Sequence, residues 1–216
     1  MRNISKQKEP RSLQEIRNKP GTNYKRDLNS NPAAKEELRA SLLAEQGYLC
    51  CYCMSRVDEQ TCRIEHWHCQ TKYDGESLDY RNLLAACPGG QKQPYKLQHC
   101  DYRKGDDDLL YNPADPARDF DQLIRYMGDG IVSSSRADFD KELNDILNLN
   151  HPILKRNREL LIRNLYADLD RPKGTTRTKA ELEDLLRDWQ SRDAMGKLPE
   201  YCEVAVYHLK KRLKRA

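Results

Sequence analysis

The sequence predicts an α+β fold in which a small zinc-stapled module is followed by a mainly helical region. Seven of the eight cysteines lie between positions 50 and 100. The same stretch contains residues 61–68, "TCRIEHWH", whose small or apolar residues alternate with polar ones as in a short strand. Apolar residues at helical spacing occur on both sides of this stretch, which places helices before and after the module.

Residues 1–31 are predicted to form a basic N-terminal arm. Pro10, Pro20 and Gly21 interrupt this segment, and it sustains no apolar period. Eight lysines and arginines stand against two glutamates in residues 1–26. Such an arm can meet a polyanion, although a solvated charged surface explains the same run of charges equally well.

Residues 32–110 are predicted to form the module itself, and its first element is a helix. Ser30 or Asn31 can cap this helix, Pro32 suits its first turn, and Gly47 ends it. The strand at residues 61–68 follows. The segment "GESLDYRNLLAAC" then turns the chain and opens an apolar run.

Residues 111–136 are predicted to contain a loop and a hairpin, because "LIRYMGDGIVSS" places a Gly-Asp-Gly turn between two apolar arms. Residues 137–216 are predicted to be helical. One helix covers "HPILKRNRELLIRNLYADL", the next begins with a capping box from Thr178 to Glu181, and the last begins at Pro199.

The composition limits the class of protein. With 38% hydrophobic and 33% charged residues, the core must be small for a chain of 216 residues. No apolar stretch approaches the roughly 20 residues of a membrane span, and the N-terminus lacks a signal-peptide core, so we expect no membrane partner and a cytoplasmic location. Thiols stay reduced there, which favours metal ligation over disulfides.

The cysteine spacing predicts a structural zinc site. Cys50 and Cys53 form a C-x-x-C knuckle, and Cys87 and Cys100 supply a second pair that is opened by an insertion. Zinc can hold together a module that buries too little apolar area to fold alone. Alternatives remain open: His99 could replace Cys100, one pair could be only buried thiols, and three further cysteines could be packing residues, namely Cys51, Cys62 and Cys69.

Glu65, His66 and His68 gather proton-transferring and ligating groups on one short strand. A carboxylate is a hard ligand for Mg²⁺, and a neutral imidazole can take a proton from water near neutral pH. At a strand end the twist lets Glu65 and His66 reach one site, which suggests a phosphodiester hydrolase, whereas a surface pair is the plainer interpretation. His68 shares a face with His66 and either assists the substrate or is merely exposed.

The order of these residues adds a resemblance. Along the chain, "CCYC", "IEH", "NLLAAC" and "CDYRKG" resemble the HNH endonuclease family, whose ββα-metal motif is held in many members by two cysteine pairs. Longer segments such as "LAEQGYLCCYC", "YNPADPARDF" and "ILNLNHPILKRNR" are similar to the HNH nuclease subunit of Septu anti-phage systems and of retron-associated relatives. The resemblance covers about residues 35–165.

The resemblance implies a role for five residues. His66 would be the general base, and Glu65 and Asp101 would hold a catalytic Mg²⁺ or Mn²⁺. Asn82 would fix the loop that carries the base, and Lys104 would meet the substrate phosphate. Two of these residues differ from the commonest residues of the family. Glu65 replaces Asp, and Asp101 replaces His or Asn. The replacement at position 101 makes the metal site more anionic.

The expected function is therefore metal-dependent endonuclease activity in anti-phage defence, on DNA ahead of RNA. No P-loop is present, and the resemblance implies a separate ATPase subunit as partner. Six leucines of the C-terminal helices could dock that partner or only close an internal core: Leu161, Leu165, Leu169, Leu182, Leu185 and Leu186. The competing interpretation is a non-catalytic zinc-ribbon module that binds nucleic acid, although it does not explain the order of Glu65, His66, Asn82 and Asp101.

Overall fold

The computed structural model describes residues 1–170 and 177–215. Residues 171–176 and 216, which belong to the predicted helical region, lie outside the described residues. The architecture is α+β, as predicted. The helices are α1 (Arg11–Arg17), α2 (Pro32–Gln46), α3 (Cys100–Lys104), α4 (Phe120–Leu123), α5 (Ala137–Lys141), α6 (Pro152–Leu169), α7 (Lys179–Gln190) and α8 (Cys202–Leu213). The strands are β1 (Arg63–His66), β2 (Leu83–Ala86), β3 (Ile124–Tyr126) and β4 (Val132–Ser134).

Two small antiparallel sheets are formed. β1 pairs with β2, with Glu65 opposite Leu84 and His66 opposite Leu83. All of β2 is buried, and β1 becomes buried toward its end, so Glu65 and His66 enter the interior. β3 pairs with β4 around the Gly-Asp-Gly turn, which confirms the predicted hairpin.

Helix ends follow the local signals in two cases. The Asn31 side chain accepts a hydrogen bond from the Ala34 amide, and Gly47 closes α2 at a φ of 65°. The capping box at the start of α7 is present as predicted. By contrast, α8 begins at Cys202 and not at Pro199, because Tyr201 has a left-handed φ of 53° and interrupts a right-handed helix.

The N-terminal segment differs from the expected arm, because it folds onto the body of the protein. It forms α1 and a π-helical turn at Tyr24–Leu28. The Ile4 amide donates to the Pro113 carbonyl at 2.8 Å. Its buried apolar residues are too irregularly spaced to show a period, yet they all join the core: Met1, Ile4, Leu13, Ile16, Tyr24 and Leu28.

One main hydrophobic core draws residues from all four predicted segments of the chain. A second, smaller cluster packs α6, α7 and α8 together through Leu165, Leu169, Leu182, Ala205 and Leu209. Leu161, Leu185 and Leu186 pack against it partly buried, so the six C-terminal leucines serve an internal core. None of the helices in residues 1–170 and 177–215 is long and apolar enough to cross a membrane.

Candidate functional site

Four cysteine side chains converge beneath the β1–β2 hairpin. The sulfurs of Cys50, Cys53, Cys87 and Cys100 all lie within 4.8 Å of one another, and all four residues are buried. Cys53 Sγ and Cys87 Sγ are 3.8 Å apart. Two thiolates on a tetrahedral zinc, each about 2.3 Å from the ion, are separated by about 3.8 Å. The cluster can therefore hold a metal ion such as zinc, with the pairing that the spacing predicts.

The first knuckle is a tight turn between Cys50 and Cys53. The Cys50 amide donates to the Ser55 carbonyl at 2.9 Å, and the Met54 amide donates back to the Cys50 carbonyl at 3.1 Å. These bonds curl the backbone so that the side chains of both cysteines point to one centre.

The second knuckle spans the insertion between β2 and α3. Cys87 directly follows β2, and Cys100 is the first residue of α3. The insertion folds back at Gly89, whose φ is +59° and whose Cβ, if present, would lie 2.1 Å from the His99 carbonyl oxygen. The four-residue cluster contains Cys100 and not His99, whose Nδ1 lies 3.2 Å from Cys100 Sγ.

The electrostatics of the cluster favour a cation. Burial raises the pKa of the Cys50 thiol, but hydrogen bonds with Cys100, Cys51 and Cys53 outweigh burial and hold that pKa well below its usual range. Burial and hydrogen bonds to the other thiols raise the pKa of Cys100. A metal bound at these sulfurs would displace the thiol protons.

The other cysteines serve packing. Cys51, Cys62, Cys69 and Cys202 are buried and lie outside the four-sulfur cluster. Burial raises the pKa of Cys62 to about 12, which keeps this thiol protonated.

A cleft of about 320 Å³ opens next to this cluster, and it brings together the predicted acidic and basic groups. Glu65 and His66 reach it from the end of β1, and Asp101 reaches it from the first turn of α3. Asp101 directly follows the cluster residue Cys100. A metal held by the cysteines would therefore fix the position of one wall of the cleft.

Two carboxylates meet at the floor of the cleft. Glu65 Oε1 accepts hydrogen bonds from Tyr52 Oη at 2.7 Å and Lys104 Nζ at 3.0 Å. Burial raises the pKa of Glu65 well above its usual range, and the adjacent Asp101 raises that pKa further. Asp101 Oδ2 accepts from Arg63 Nε at 2.5 Å. The two carboxyl groups therefore interact with each other, and each is contacted by a side-chain cation.

Lys104 does not lie where the resemblance places it. Its side chain is only 1% exposed and binds Glu65, and its Nζ also donates to the His66 carbonyl at 2.9 Å. A buried ammonium with these acceptors does not reach a substrate phosphate. The expectation of a phosphate contact is therefore corrected, because α3 turns Lys104 inward to neutralise Glu65.

His66 is held in one orientation and one tautomer. Its Nε2 lies 3.0 Å from the Ser77 carbonyl, and because a carbonyl only accepts, Nε2 carries the proton. Nδ1 therefore has a free electron pair, which accepts from the Gln70 amide at 3.1 Å. The edge of the His66 ring also packs against Tyr24 at 4.5 Å. Burial lowers the pKa of His66 to about 4, so the ring is neutral at pH 7.

Asn82 joins the two ends of the loop that follows β1. Its Oδ1 accepts from the His68 amide at 2.7 Å, and its Nδ2 donates to the carbonyls of His68 at 3.0 Å and Glu76 at 3.2 Å. This loop carries Ser77, the hydrogen-bond partner of His66. Asn82 therefore fixes the loop that holds the His66 imidazole and does not itself line the cleft.

His68 lies apart from the cleft. Its Nδ1 contacts Glu76 at 2.7 Å, and its ring stacks between Trp67 and Tyr73 with centroid distances of 4.1 and 4.4 Å. A histidine held on three sides in this way stabilises the loop. The structure therefore gives no support to substrate contact by His68.

Four residues near the carboxylates and His66 were not predicted. Arg63 could have been identified, because it lies two positions before Glu65 and strand neighbours at this spacing share a face. Gln70, Tyr52 and Lys25 carry no such signal. They come from a loop, a knuckle and the N-terminal segment, which only the tertiary fold brings to this site.

No protein-family model matches the chain, and no curated protein matches it either. Its function must therefore be inferred from the geometry of the cleft and the cysteine cluster.

Proposed function

We propose that this chain is a metal-dependent endonuclease of the HNH type, which hydrolyses phosphodiester bonds in nucleic acid. The observation that supports this most is the convergence of Glu65, Asp101 and His66 on one cleft. Two carboxylates and a neutral imidazole are the groups that metal-assisted hydrolysis needs, and they are carried by a β hairpin and a short helix beside four clustered cysteines.

The two carboxylates fit a hard divalent ion. They line the same cleft, and they belong to the ligand class that Mg²⁺ and Mn²⁺ prefer. Burial and the neighbouring Asp101 both raise the pKa of Glu65, so a divalent cation would stabilise its charged form. An ion bound there would neutralise charge on the scissile phosphate and on the departing 3′ oxygen. Arg63 has a side chain 37% exposed, so it can move from Asp101 toward solvent or the substrate as an ion enters.

His66 would activate the attacking water through Nδ1. Its other nitrogen is fixed to the Ser77 carbonyl, so Nδ1 is the only basic position of the ring. The Gln70 amide, which now donates to Nδ1, would have to move aside or orient the water. The depressed pKa keeps the imidazole in its basic form across the physiological range.

The biological setting follows from the sequence resemblance alone. We propose that the nuclease is the effector subunit of an anti-phage complex and acts with a separate ATPase subunit, on DNA ahead of RNA. The charged groups that line the cleft suit a phosphate, and phosphate contacts carry no base sequence.

A second candidate is a zinc-ribbon module that binds nucleic acid without cutting it. One observation favours it, since Lys104 and Arg63 both contact the carboxylates that a catalytic ion would need. In that case Glu65 and Asp101 would be structural partners of two cations.

A cleavage assay separates the two functions. The purified chain, alone and with the product of the neighbouring open reading frame, is incubated with plasmid DNA, single-stranded DNA or RNA in Mg²⁺ or Mn²⁺. We expect cleavage that needs the added ion and that His66→Ala lowers by at least about a hundredfold, because loss of a general base costs about 10² to 10⁴ in rate. His68→Ala is the control, and we expect it to cut within a few-fold of the wild type.

Zinc content and circular dichroism of His66→Ala should match the wild type, which shows that the loss is chemical. Cleavage by His66→Ala at the wild-type rate contradicts the assignment of the base. If the wild type binds nucleic acid but cuts none of the three substrates with either ion and with the ATPase present, the binding module is the better answer.

A further inference from the structure

Most of the positive charge of the N-terminal segment is neutralised within the protein. Five cations of residues 1–26 each contact a carboxylate: Arg2 with Glu203, Lys6 with Glu45, Arg11 with Glu15, Arg17 with Glu9, and Arg26 with Asp27. Because these cations already contact carboxylates, they do not form a continuous basic surface for a polyanion unless the pairs break. The segment as a whole is therefore not a uniform basic arm.

Lys8, Lys19 and Lys25 form no ion pair in the described part of the chain, and of these three Lys25 lines the cleft. Within the described part of the chain it has no carboxylate partner, and its side chain is exposed. It lines the same cleft as Glu65, His66 and Asp101. Because Lys104 is buried, Lys25 is the lysine positioned to meet a phosphate there.

Two further cations continue from Lys25 along α2. Lys35 and Arg39 are four residues apart and share one face of this helix, where like charges repel. Lys35 hydrogen-bonds only to the neutral Asn29 side chain, at 2.7 Å. Arg39 Nε is buried and has no hydrogen-bond partner among the described residues. Glu36 and Glu37 lie between them in sequence, but neither forms an ion pair with Lys35 or Arg39 in the described chain.

Tyr24 connects this pair of cations to His66. Lys35 Nζ lies 6.0 Å from the centre of the Tyr24 ring, and His66 packs on the same ring at 4.5 Å. Burial raises the pKa of Tyr24 to about 12, and the nearby charges of Arg39 and Arg63 act against that rise. Lys35, Arg39 and Arg63 therefore lie near one aromatic ring, and this ring contacts the cleft residue His66.

Carboxylates also neutralise part of the C-terminal run of bases. Lys210 contacts Asp121, and Arg212 contacts Asp170 at 3.2 Å. Lys211 and Lys214 line a separate cavity beside Tyr207 and Phe120. The two basic ends that the sequence shows are thus not equivalent.

We propose that Lys25, Lys35, Arg39 and Arg63, here called the rim patch, bind the sugar-phosphate backbone of nucleic acid and direct it into the cleft. The proposal rests on the proposed function, which supplies the nucleic acid as partner. It places that nucleic acid on the α2 side of the molecule and not at the C-terminal helix. Three of the four, Lys25, Lys35 and Arg39, have no carboxylate partner among the described residues, so they gain from a polyanion, and each phosphate contact also releases bound counterions.

The test is a binding measurement in the His66→Ala background, so that no substrate is cut and no chelator disturbs the cysteine cluster. Fluorescein-labelled duplex DNA, single-stranded DNA and single-stranded RNA are titrated at several salt concentrations. One variant adds Lys25→Gln and Lys35→Gln, and a second adds Arg39→Gln to these. The control carries Lys211→Gln and Lys214→Gln, which remove the same charge from the other basic end.

We expect the Lys25/Lys35 variant to bind duplex DNA at least about tenfold more weakly, with a log–log salt slope smaller by about 2, because each lost phosphate contact removes about 0.9 from the slope. Adding Arg39→Gln should reduce the slope by about 1 more. The control should keep the affinity of its parent within about twofold. Thermal melting checks that the substitutions leave the fold intact, since Lys25 is exposed but Lys35 and Arg39 are half-buried.

Unchanged binding of both patch variants overturns the proposal, as does an equal loss in the control. Failure of the proposed function has a different signature. If the patch variants lose binding while the wild type cuts nothing with Mg²⁺ or Mn²⁺, the rim patch stands and the nuclease fails. If the wild type cuts DNA and the patch variants bind DNA as tightly as their His66→Ala parent, the nuclease stands and the rim patch fails.

Discussion

The Lys104 and Glu65 side chains form an ion pair that is 1% and 2% exposed. Taking both charges out of water is costly, and burial accordingly raises the pKa of Glu65, whereas the Lys104 ammonium and the Tyr52 hydroxyl act against that rise. Removing one partner would leave a buried carboxyl without its cation. The pair therefore matters for stability in a way that its two residue types do not indicate.

We predict that Lys104→Met lowers the free energy of unfolding by about 3 kcal/mol at pH 7, since breaking a buried pair costs about 3 to 5 kcal/mol. Lys72→Met is the matched control, because Lys72 contacts Asp108 with both side chains 46% exposed. We expect it to cost less than about 1 kcal/mol. Urea unfolding of both variants tests this, and equal losses would show that Lys104 is not an essential partner.

His66 gives a pH dependence of stability. Burial lowers its pKa from 6.5 to about 4, so below pH 6.5 the unfolded chain takes up a proton that the folded chain refuses. The stability associated with the neutral ring is fully present above pH 6.5 and is lost as the pH falls toward 4. The full loss is about 3 kcal/mol, because one pKa unit corresponds to about 1.4 kcal/mol.

We predict that between pH 6.5 and 4 the wild type loses about 3 kcal/mol more free energy of unfolding than His66→Gln does. The two values therefore converge, and they cross if the variant is less than about 3 kcal/mol less stable at pH 6.5. The other histidines titrate in both proteins and cancel from the difference. Denaturant unfolding at closely spaced pH values provides the measurement. Parallel curves across this range would show that the imidazole is not held neutral by burial.

For individual residues, the sequence predicts which side chains have suitable chemistry better than it predicts which side chains contact each other. Glu65, His66 and Asp101 could be chosen as candidates because carboxylates and imidazole have known chemistry. Lys104 was misassigned, since whether a lysine faces solvent or a buried acid depends on a partner 39 positions away. Lys25 was not chosen at all, because one lysine in a basic run carries no individual signal.

Among the larger elements, the insertion between β2 and α3 closes the second knuckle through a single close approach. Gly89 has a left-handed φ, and a Cβ there would overlap the His99 carbonyl oxygen. We predict that Gly89→Ala lowers the melting temperature and weakens zinc retention. Gly75→Ala is the control, since Gly75 has no positive φ and a Cβ added there would meet no described atom within 4 Å.

Melting curves and zinc release to a colorimetric chelator provide the measurement. We expect Gly75→Ala to behave like the wild type. If the two glycine variants retain zinc equally well, the close approach at residue 89 does not control the geometry of the second knuckle.

The cysteine cluster should hold the knuckles and α3 together through a metal. We predict that Cys53→Ser lowers bound zinc from about one ion per chain and loosens the module, because structural zinc contributes directly to folding free energy. Cys62→Ser is the control, since Cys62 is also buried but lies outside the cluster. Elemental analysis and limited proteolysis report both effects. Equal zinc content in the two variants would contradict a zinc site at these four cysteines.

Elements with strong local signals were predicted well. α2 and α7 were located from their caps, because capping depends on residues only three positions apart. The packing of residues 1–31 was missed, since Leu13 and Leu28 belong to the core through long-range contacts without a period. The start of α8 was missed because Tyr201 adopts a left-handed conformation that tyrosine rarely takes.

Across the whole molecule, the cleft is assembled from parts that are distant in sequence. Lys25 comes from the N-terminal segment, Glu65 and His66 from β1, and Asp101 from α3, all around one core. The α+β class followed from local patterns, whereas this assembly could be anticipated only through the order of motifs that resembles a known family. The contacts among the cations and carboxylates required the tertiary structure.

The central claim is that a zinc-bound cysteine scaffold presents Glu65 and Asp101 to a second, hard ion beside His66. Anomalous diffraction from crystals soaked in Mn²⁺, recorded at the zinc and manganese edges, tests it most directly. We predict a zinc peak among Cys50, Cys53, Cys87 and Cys100, and a separate manganese peak at the two carboxylates that disappears in Asp101→Asn. Manganese absent from the cleft, or no zinc among the four sulfurs, would contradict the account.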